Sequence, residues 1–143
     1  MNTKIDSVWV TNFNNKPINL IQKYKGKPIL LLLYNNSCLG CTGRAIPLAY
    51  KIKQEFSFVE VIGIHCNFGT TPITFDEIKR IFTTQELPFP IYLDENHSVY
   101  NLFKSEGTPQ WVLLNSKAEI YRSIFGSQAN AEYRLYYALE SLL

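Results

Sequence analysis

Ile29-Leu30-Leu31-Leu32-Leu33-Tyr34-Asn35-Asn36-Ser37-Cys38-Leu39-Gly40-Cys41 is the stretch on which the fold turns. Residues 29 to 34 form the most apolar run of the chain. A continuous run of that length reads as a strand buried on both faces, as in the middle of a parallel sheet. Polar residues follow, so the pair Cys38 and Cys41 falls where that strand ends and a helix begins. The thiolate is the reactive form of cysteine and is scarce at neutral pH when the thiol is unperturbed. Unpaired N–H groups in the first turn of a helix stabilise it, and two intervening residues let the second sulfur close on the first. Cys38 would attack and Cys41 would resolve. Two other uses of the pair stay open at this point: half of a zinc site, or two buried inert thiols. A zinc site generally draws on a second pair, and beyond these two the chain offers only Cys66, His65 and His97.

The 143 residues match the length of one domain, 1–143, and are enough to bury a core without disulfide staples. Hydrophobic residues make up 46% and charged residues 18%, which excludes a disordered chain. A formal net charge of +2, with both signs scattered, supplies no patch for nucleic acid or anionic lipid. Three cysteines are an odd count and argue against a secreted disulfide framework. Met1 to Ser7 lacks the basic-then-apolar pattern of a leader, and no apolar run reaches the length of a membrane span. The expectation is therefore a cytoplasmic location for the chain as written, and a periplasmic one if a leader has been trimmed away.

Outward from the opening stretch, Val8-Trp9-Val10 and Ile18-Asn19-Leu20 flank a turn-rich patch and suggest a short leading hairpin or an irregular arm. Ala45, Ile46, Ala49, Tyr50, Ile52 and Phe56 recur near helical spacing and predict a helix over 39–56, with Pro47 kinking it. A second buried strand over 59–66 completes a right-handed strand-helix-strand unit. Residues 67–72 read as a loop. Thr74 with Glu77 makes a capping box for a helix over about 74–84, and residues 88–93 read as a strand. A turn and brief helix over 94–103 lead to Gly107-Thr108-Pro109. A hairpin of 111–114 with 119–122 and a last helix over about 129–142 complete the chain.

This order, with a cysteine pair opening a helix after the central strand and a Thr-Pro ahead of the final hairpin, resembles the thioredoxin fold. It is most similar to the TlpA/ResA-like thiol-disulfide oxidoreductases of the redoxin group, from about Trp9 to the end. The resemblance implies an α/β, three-layer sandwich, a central mixed β-sheet flanked by helices, with the TlpA-like inserted helix and strand at residues 74–93. It implies a cis bond at Thr108-Pro109, facing the cysteines and leaving the Thr108 backbone free for an incoming peptide. It further implies a redox-active disulfide Cys38–Cys41, no organic cofactor or metal, and a disulfide-containing or dithiol protein partner. The pattern departs from the family in four places. Ser37 replaces the usual Trp, Leu32 stands at thioredoxin's buried acid, Arg44 takes the place of a frequent Glu, and Pro47 comes one position late. With Arg44 near in sequence and no acid, the Cys38 thiol is expected to be acidified.

His65 and Cys66 end the strand beside the central one and so flank the cysteines, as a buried thiol and a loop histidine rather than as a third redox thiol or metal ligand. His97 reads as an exposed turn residue. Trp9, Tyr34, Phe68 and Trp111 are expected mainly in the core, and Tyr133, Tyr136 and Tyr137 on a packing face. The alternative functions are a peroxiredoxin-like thiol peroxidase, in which Asn35 stands where those enzymes carry Thr, a metal carrier using the cysteines and a histidine, and a non-catalytic thioredoxin-fold module.

Overall fold

The computed structural model describes residues 3–69, 71–84 and 86–143. Thr70, within the expected 67–72 loop, and Met1 and Asn2, within the stretch read for a leader, lie outside the described residues. Strands β1 (Trp9–Thr11) and β2 (Pro17–Asn19) form the expected leading hairpin, with Trp9 opposite Asn19. The Asn12 side-chain oxygen accepts from the N–H groups of Asn14 and Lys16 to shape its turn. The short helix α1 (Leu20–Lys23) starts on Asn19, whose side chain accepts the N–H of Ile21.

Strand β3 (Ile29–Tyr34) is buried along its whole length, as its apolar run requires. The next helix begins at residue 39 but does not wind uniformly. Cys41–Ala45 form a widened π turn in which the Ile46 N–H reaches back to the Cys41 carbonyl, and α2 (Ile46–Glu55) follows. Pro47, expected to kink a continuous helix, follows directly on this π turn as the second residue of α2, and its missing N–H leaves one carbonyl of the preceding turn without a helical partner. The π turn is the physical form the disruption takes.

Strand β4 (Glu60–Cys66) runs parallel to β3, in register from Ile29 opposite Glu60 to Tyr34 opposite His65. Helix α3 (Phe75–Lys79) is shorter than the sequence suggested. Its cap forms as expected, Thr74 accepting the Glu77 N–H at 3.2 Å. Beyond it Phe82 still packs on the core, but Ile81, Thr83 and Thr84 are exposed and the β-branched threonines favour a turn. Strand β5 (Ile91–Asp94) lies parallel to β4 and starts later than expected, since Pro88 and Pro90 have no N–H for a ladder. A 3-10 turn (Glu95–His97), α4 (Ser98–Leu102), the antiparallel strands β6 (Gln110–Leu114) and β7 (Ile120–Phe125), and α5 (Ala129–Ser141) complete the chain.

The sheet order is β2-β1-β5-β4-β3-β6-β7, with β3 between its parallel partner β4 and its antiparallel partner β6. Alternation along β3 divides the core in two. Leu30, Leu32 and Tyr34 pack with Ile46, Ala49 and Ile52 of α2 and Leu135 and Leu139 of α5. Ile29, Leu31 and Leu33 pack with Leu20 of α1 and Val99 of α4 on the other side. The result is the thioredoxin-like α/β sandwich, with α3 and β5 as the inserted helix and strand.

The aromatics divide more sharply than expected. Tyr34 and Trp111 are sealed in the core, whereas Trp9 and Phe68 are about half exposed, Trp9 because its strand lies near the sheet's margin. On α5, Tyr136 packs against Phe56, but Tyr133 and Tyr137 are 73% exposed and do not form a packing face.

One close approach fixes a residue type. A Cβ on Gly63 in β4 would lie 2.9 Å from the Phe89 ring and 3.2 Å from Ile91 Cγ1, and both neighbours are core residues. Gly63→Ala is expected to cost about 1–3 kcal/mol, measured by urea unfolding, and Phe89→Leu in the same chain should recover part of it.

Candidate active site

The stretch that joins β3 to the cysteine helix is pinned by its own amides. The Asn35 side chain donates to the Cys66 carbonyl at 2.7 Å and accepts the Ser37 N–H at 2.8 Å. The Asn36 side chain donates to the Glu77 carbonyl at 3.0 Å, and the Asn36 N–H donates to Nε2 of His65 at 3.1 Å. The loop is thus tied to β4 and to the inserted α3. Sequence reading gives Asn35 and Asn36 no structural part. The available signal is that paired Asn residues after a strand readily bond their own backbone in turns.

Cys38 sits where a helix cap belongs. Its carbonyl accepts from the N–H groups of Cys41 and Thr42, and its half-buried sulfur accepts the Cys41 N–H at 3.2 Å, the place a capping side-chain oxygen would take. Cys41 is fully buried, and burial pushes its thiol up to about 12, with the hydrogen bond to Cys38 acting the same way. The Asn35 backbone and the Thr108 side chain offset part of that rise. Both sulfurs are free thiols, one half-buried and one sealed. Leu39 is 87% exposed beside Cys38, and Arg44 is also exposed. Gly40 has an ordinary helical backbone, so its role is spatial: a Cβ there would lie 3.0 Å from Ser127 Oγ and 3.8 Å from Pro109 Cδ.

The Thr108-Pro109 bond is cis and faces the cysteine pair. The Thr108 carbonyl, expected to be free, accepts from the Cys38 thiol at 3.5 Å. That correction follows from the sulfur's position at the helix start, which brings it against the loop.

His65 and Cys66 both stand at the end of β4, on opposite faces. Cys66 is a sealed thiol, its pKa raised by burial and by the neighbouring Asp94. Asp94 is itself buried and holds the start of α4, its oxygens accepting from the N–H groups of Val99 and Tyr100 at 2.8 Å each. His65 is not a loop histidine. It is a strand residue, 1% exposed, edge-on to Tyr34. His97 is half-buried rather than exposed, its Nε2 lying 2.6 Å from the Asn67 carbonyl and its ring packed against Phe68 and Tyr100. Among the described residues, no group of three or more His, Cys, Asp or Glu is placed to hold a metal, and no helix is long and apolar enough to cross a membrane.

Burial lowers the His65 imidazole to about 4, with Glu77 pulling weakly the other way. A folded value below the unfolded 6.5 means that the stabilisation is complete above pH 6.5 and is lost as pH falls through about 4. Urea midpoints of the wild type and His65→Phe at pH 7 and pH 4 are expected to show the wild type losing on the order of 3 kcal/mol more than the variant over that interval.

The sequence matches the AhpC/TSA family over residues 1–126. No curated protein matches it. Several solved structures share its fold. A thiol-disulfide isomerase from Corynebacterium glutamicum is 27% identical, with a TM-score of 0.76 over 100% of this chain and 96% of that one. A thioredoxin family thiol:disulfide interchange protein from Chlorobium tepidum is 15% identical, with a TM-score of 0.75 over 99% and 97%. The exposed lipoprotein thioredoxin of Streptococcus pneumoniae is 14% identical, with a TM-score of 0.74 over 95% and 99%. Since the family match runs through all but the last helix and its lead-in, and the whole chain overlays redox proteins of one architecture, the chain belongs to the AhpC/TSA family and has the thioredoxin-like fold.

Proposed function

We propose that this protein is a thiol-disulfide oxidoreductase that exchanges disulfides with a polypeptide partner, Cys38 attacking and Cys41 resolving. The observation that carries the reading is the unequal pair: a half-buried Cys38 sulfur that accepts a helix N–H, one turn from a sealed Cys41. The Cys38 thiolate attacks one sulfur of the partner's disulfide, the S–S bond breaks, and the other partner sulfur leaves as a thiolate. Cys41 then gives up its proton and attacks Cys38 Sγ. The Cys38–Cys41 bond forms, the partner's second sulfur departs, and two electrons have passed from the pair to the partner. Thr108 and Pro109 line the approach, and an incoming chain displaces the Cys38 thiol from the Thr108 carbonyl. The exchange needs no organic cofactor or metal.

Disulfide exchange fits better than peroxide reduction because of Asn35. Its amide is engaged on both ends, to Cys66 and to Ser37, and so is spent on holding the loop. Metal carriage through the pair and a histidine is likewise disfavoured, since Nε2 of His65 and of His97 each already face a backbone group.

In an insulin reduction assay, Cys38→Ser should fall to the uncatalysed rate, and Cys41→Ser should accumulate a mixed disulfide with insulin that is visible by intact mass. Turnover that survives Cys38→Ser would overturn the reading.

A further inference from the structure

Strand β7 is one of the two outer strands of the sheet, and part of its free edge is already in use. The N-terminal arm, residues 3–5, lies antiparallel along it: the Ile120 N–H donates to the Thr3 carbonyl at 2.7 Å and the Ile5 N–H to the Ala118 carbonyl at 2.8 Å. Beyond the arm the edge is open. On the side of β6, the Gly126 N–H donates to the Pro109 carbonyl at 2.9 Å, which makes Phe125 and Gln110 a non-hydrogen-bonded pair and, two residues back, Ser123 and Val112 another. The N–H and C=O groups of Ser123 and Phe125 therefore point away from β6, where neither residue has a backbone partner among the described residues. Both residues are exposed.

Sheet edges left to water are generally blunted by brevity, proline or lysine. The opposite edge follows that rule, since β2 has three residues, begins with Pro17 and turns straight into α1. The open part of β7 does not. Ser123, Ile124 and Phe125 include neither proline nor charge, and the guanidinium of Arg122 is turned back onto the Tyr121 carbonyl. Its place in the fold is equally specific. The Phe125 ring lies against Gly107, where a Cβ would come within 3.0 Å of it, and Gly126 is bonded to Pro109, so the open edge ends beside the cis-proline loop that meets the Cys38 thiol. Two strand spacings, about 10 Å, separate β6 from a strand laid outside β7, and three or four extended residues cover that distance. The open stretch is three residues long, whereas each side of a stable complex contributes about 20–30. It suits a transient partner better than a permanent dimer, and main-chain pairing accepts an extended chain of many sequences.

We propose that residues 123–125 of β7 receive an extended segment of the polypeptide whose disulfide meets Cys38, which adds to the sheet there as a further strand and prolongs the line begun by the arm. The inference rests on the disulfide-exchange reading above. Its main-chain carbonyls accept from the Ser123 and Phe125 N–H groups, its N–H groups donate to the carbonyls of the same two residues, and the exposed Phe125 ring offers apolar surface to one of its side chains.

The test sets Ser123→Pro, which removes an outward N–H without breaking a bond to β6, against Ser123→Val, which keeps that N–H and equally loses the hydroxyl that accepts from the Gln110 amide at 2.9 Å. Insulin is compared with hydroxyethyl disulfide, which has no peptide to pair. Ser123→Pro is expected to lower the ratio of kcat/KM for insulin to kcat/KM for hydroxyethyl disulfide about fivefold, mainly through KM for insulin, and Ser123→Val to leave it unchanged. A ratio that is the same in both variants overturns the proposal, as does an equal loss with both substrates in Ser123→Pro, which is what a merely structural role would produce. Amide hydrogen exchange gives a second measurement that needs no change in the edge. In Cys41→Ser joined to insulin through Cys38, the Ser123 and Phe125 amides should exchange about tenfold more slowly than in the free protein, and unaltered exchange overturns the proposal. Slowing that instead grows with the concentration of the free protein assigns the edge to a second copy and overturns it as well. If the wild type reduces neither disulfide and no mixed disulfide forms, the exchange reading fails and the edge is judged by binding: carboxamidomethylated insulin B chain should slow the same two amides, and no slowing overturns the inference.

Discussion

Everything in this molecule that concerns chemistry depends on a strand that water does not reach from either side. The side chains of β3 alternate between two separate cores, and each buried leucine contributes about 1.5–3 kcal/mol. Helices α2 and α5 close one face, and α1 and α4 the other. A slip of one residue in register would exchange the two sets and leave Tyr34 facing the wrong helices, so the strand's end is fixed as firmly as its middle. The cysteine loop starts at that fixed end.

Rigidity is passed on from there by hydrogen bonds. Asn35 and Asn36 tie the loop to Cys66, His65 and Glu77, so the position of the Cys38 sulfur is set by β4 and by the inserted α3 as well as by its own helix. On the other side, Gly40 allows Ser127 and Pro109 to come close to the helix's first turn. The π turn completes the arrangement. It takes up the irregularity that Pro47 imposes a turn and a half beyond Cys41, and the pair stays unequal, Cys41 deep and Cys38 at the mouth.

How much of this the sequence disclosed depended on the range of the interaction. The apolar run 29–34, the Cys-x-x-Cys spacing and the Thr74 cap of α3 are local patterns, and each forms where it was expected. Helix α3 ended early because, of residues 81–84, Phe82 alone reaches the core, which depends on neighbours distant in the chain. Trp9 is exposed for the same kind of reason, since hydrophobicity does not say which strand lies near a margin, and Phe68 because it falls in the loop beyond β4. His65 is the clearest case. Nothing in its flanking residues distinguishes a loop histidine from a sealed one, because its environment is built by Asn36 and Tyr34, some 29 and 31 positions earlier in the chain. The same is true of the Thr108 carbonyl, whose partner Cys38 lies 70 positions away.

The missing acid has a simple consequence for the proposed exchange. Among the described residues, the groups bearing on the Cys41 thiol are Cys38, Asn35 and Thr108, and none is a carboxylate. With its pKa pushed to about 12, Cys41 holds its proton firmly until a base arrives. In the mixed disulfide that base need not come from the protein. When Cys41 closes on Cys38, the partner's sulfur leaves as a thiolate in the same small volume, and it needs the proton that Cys41 must lose. Delivered directly, the proton crosses from one sulfur to the other and no net charge is created in an apolar pocket. A buried resolving thiol without a nearby acid is then a consistent design: it stays neutral while no partner is bound, and the departing sulfur supplies the base that its reaction requires.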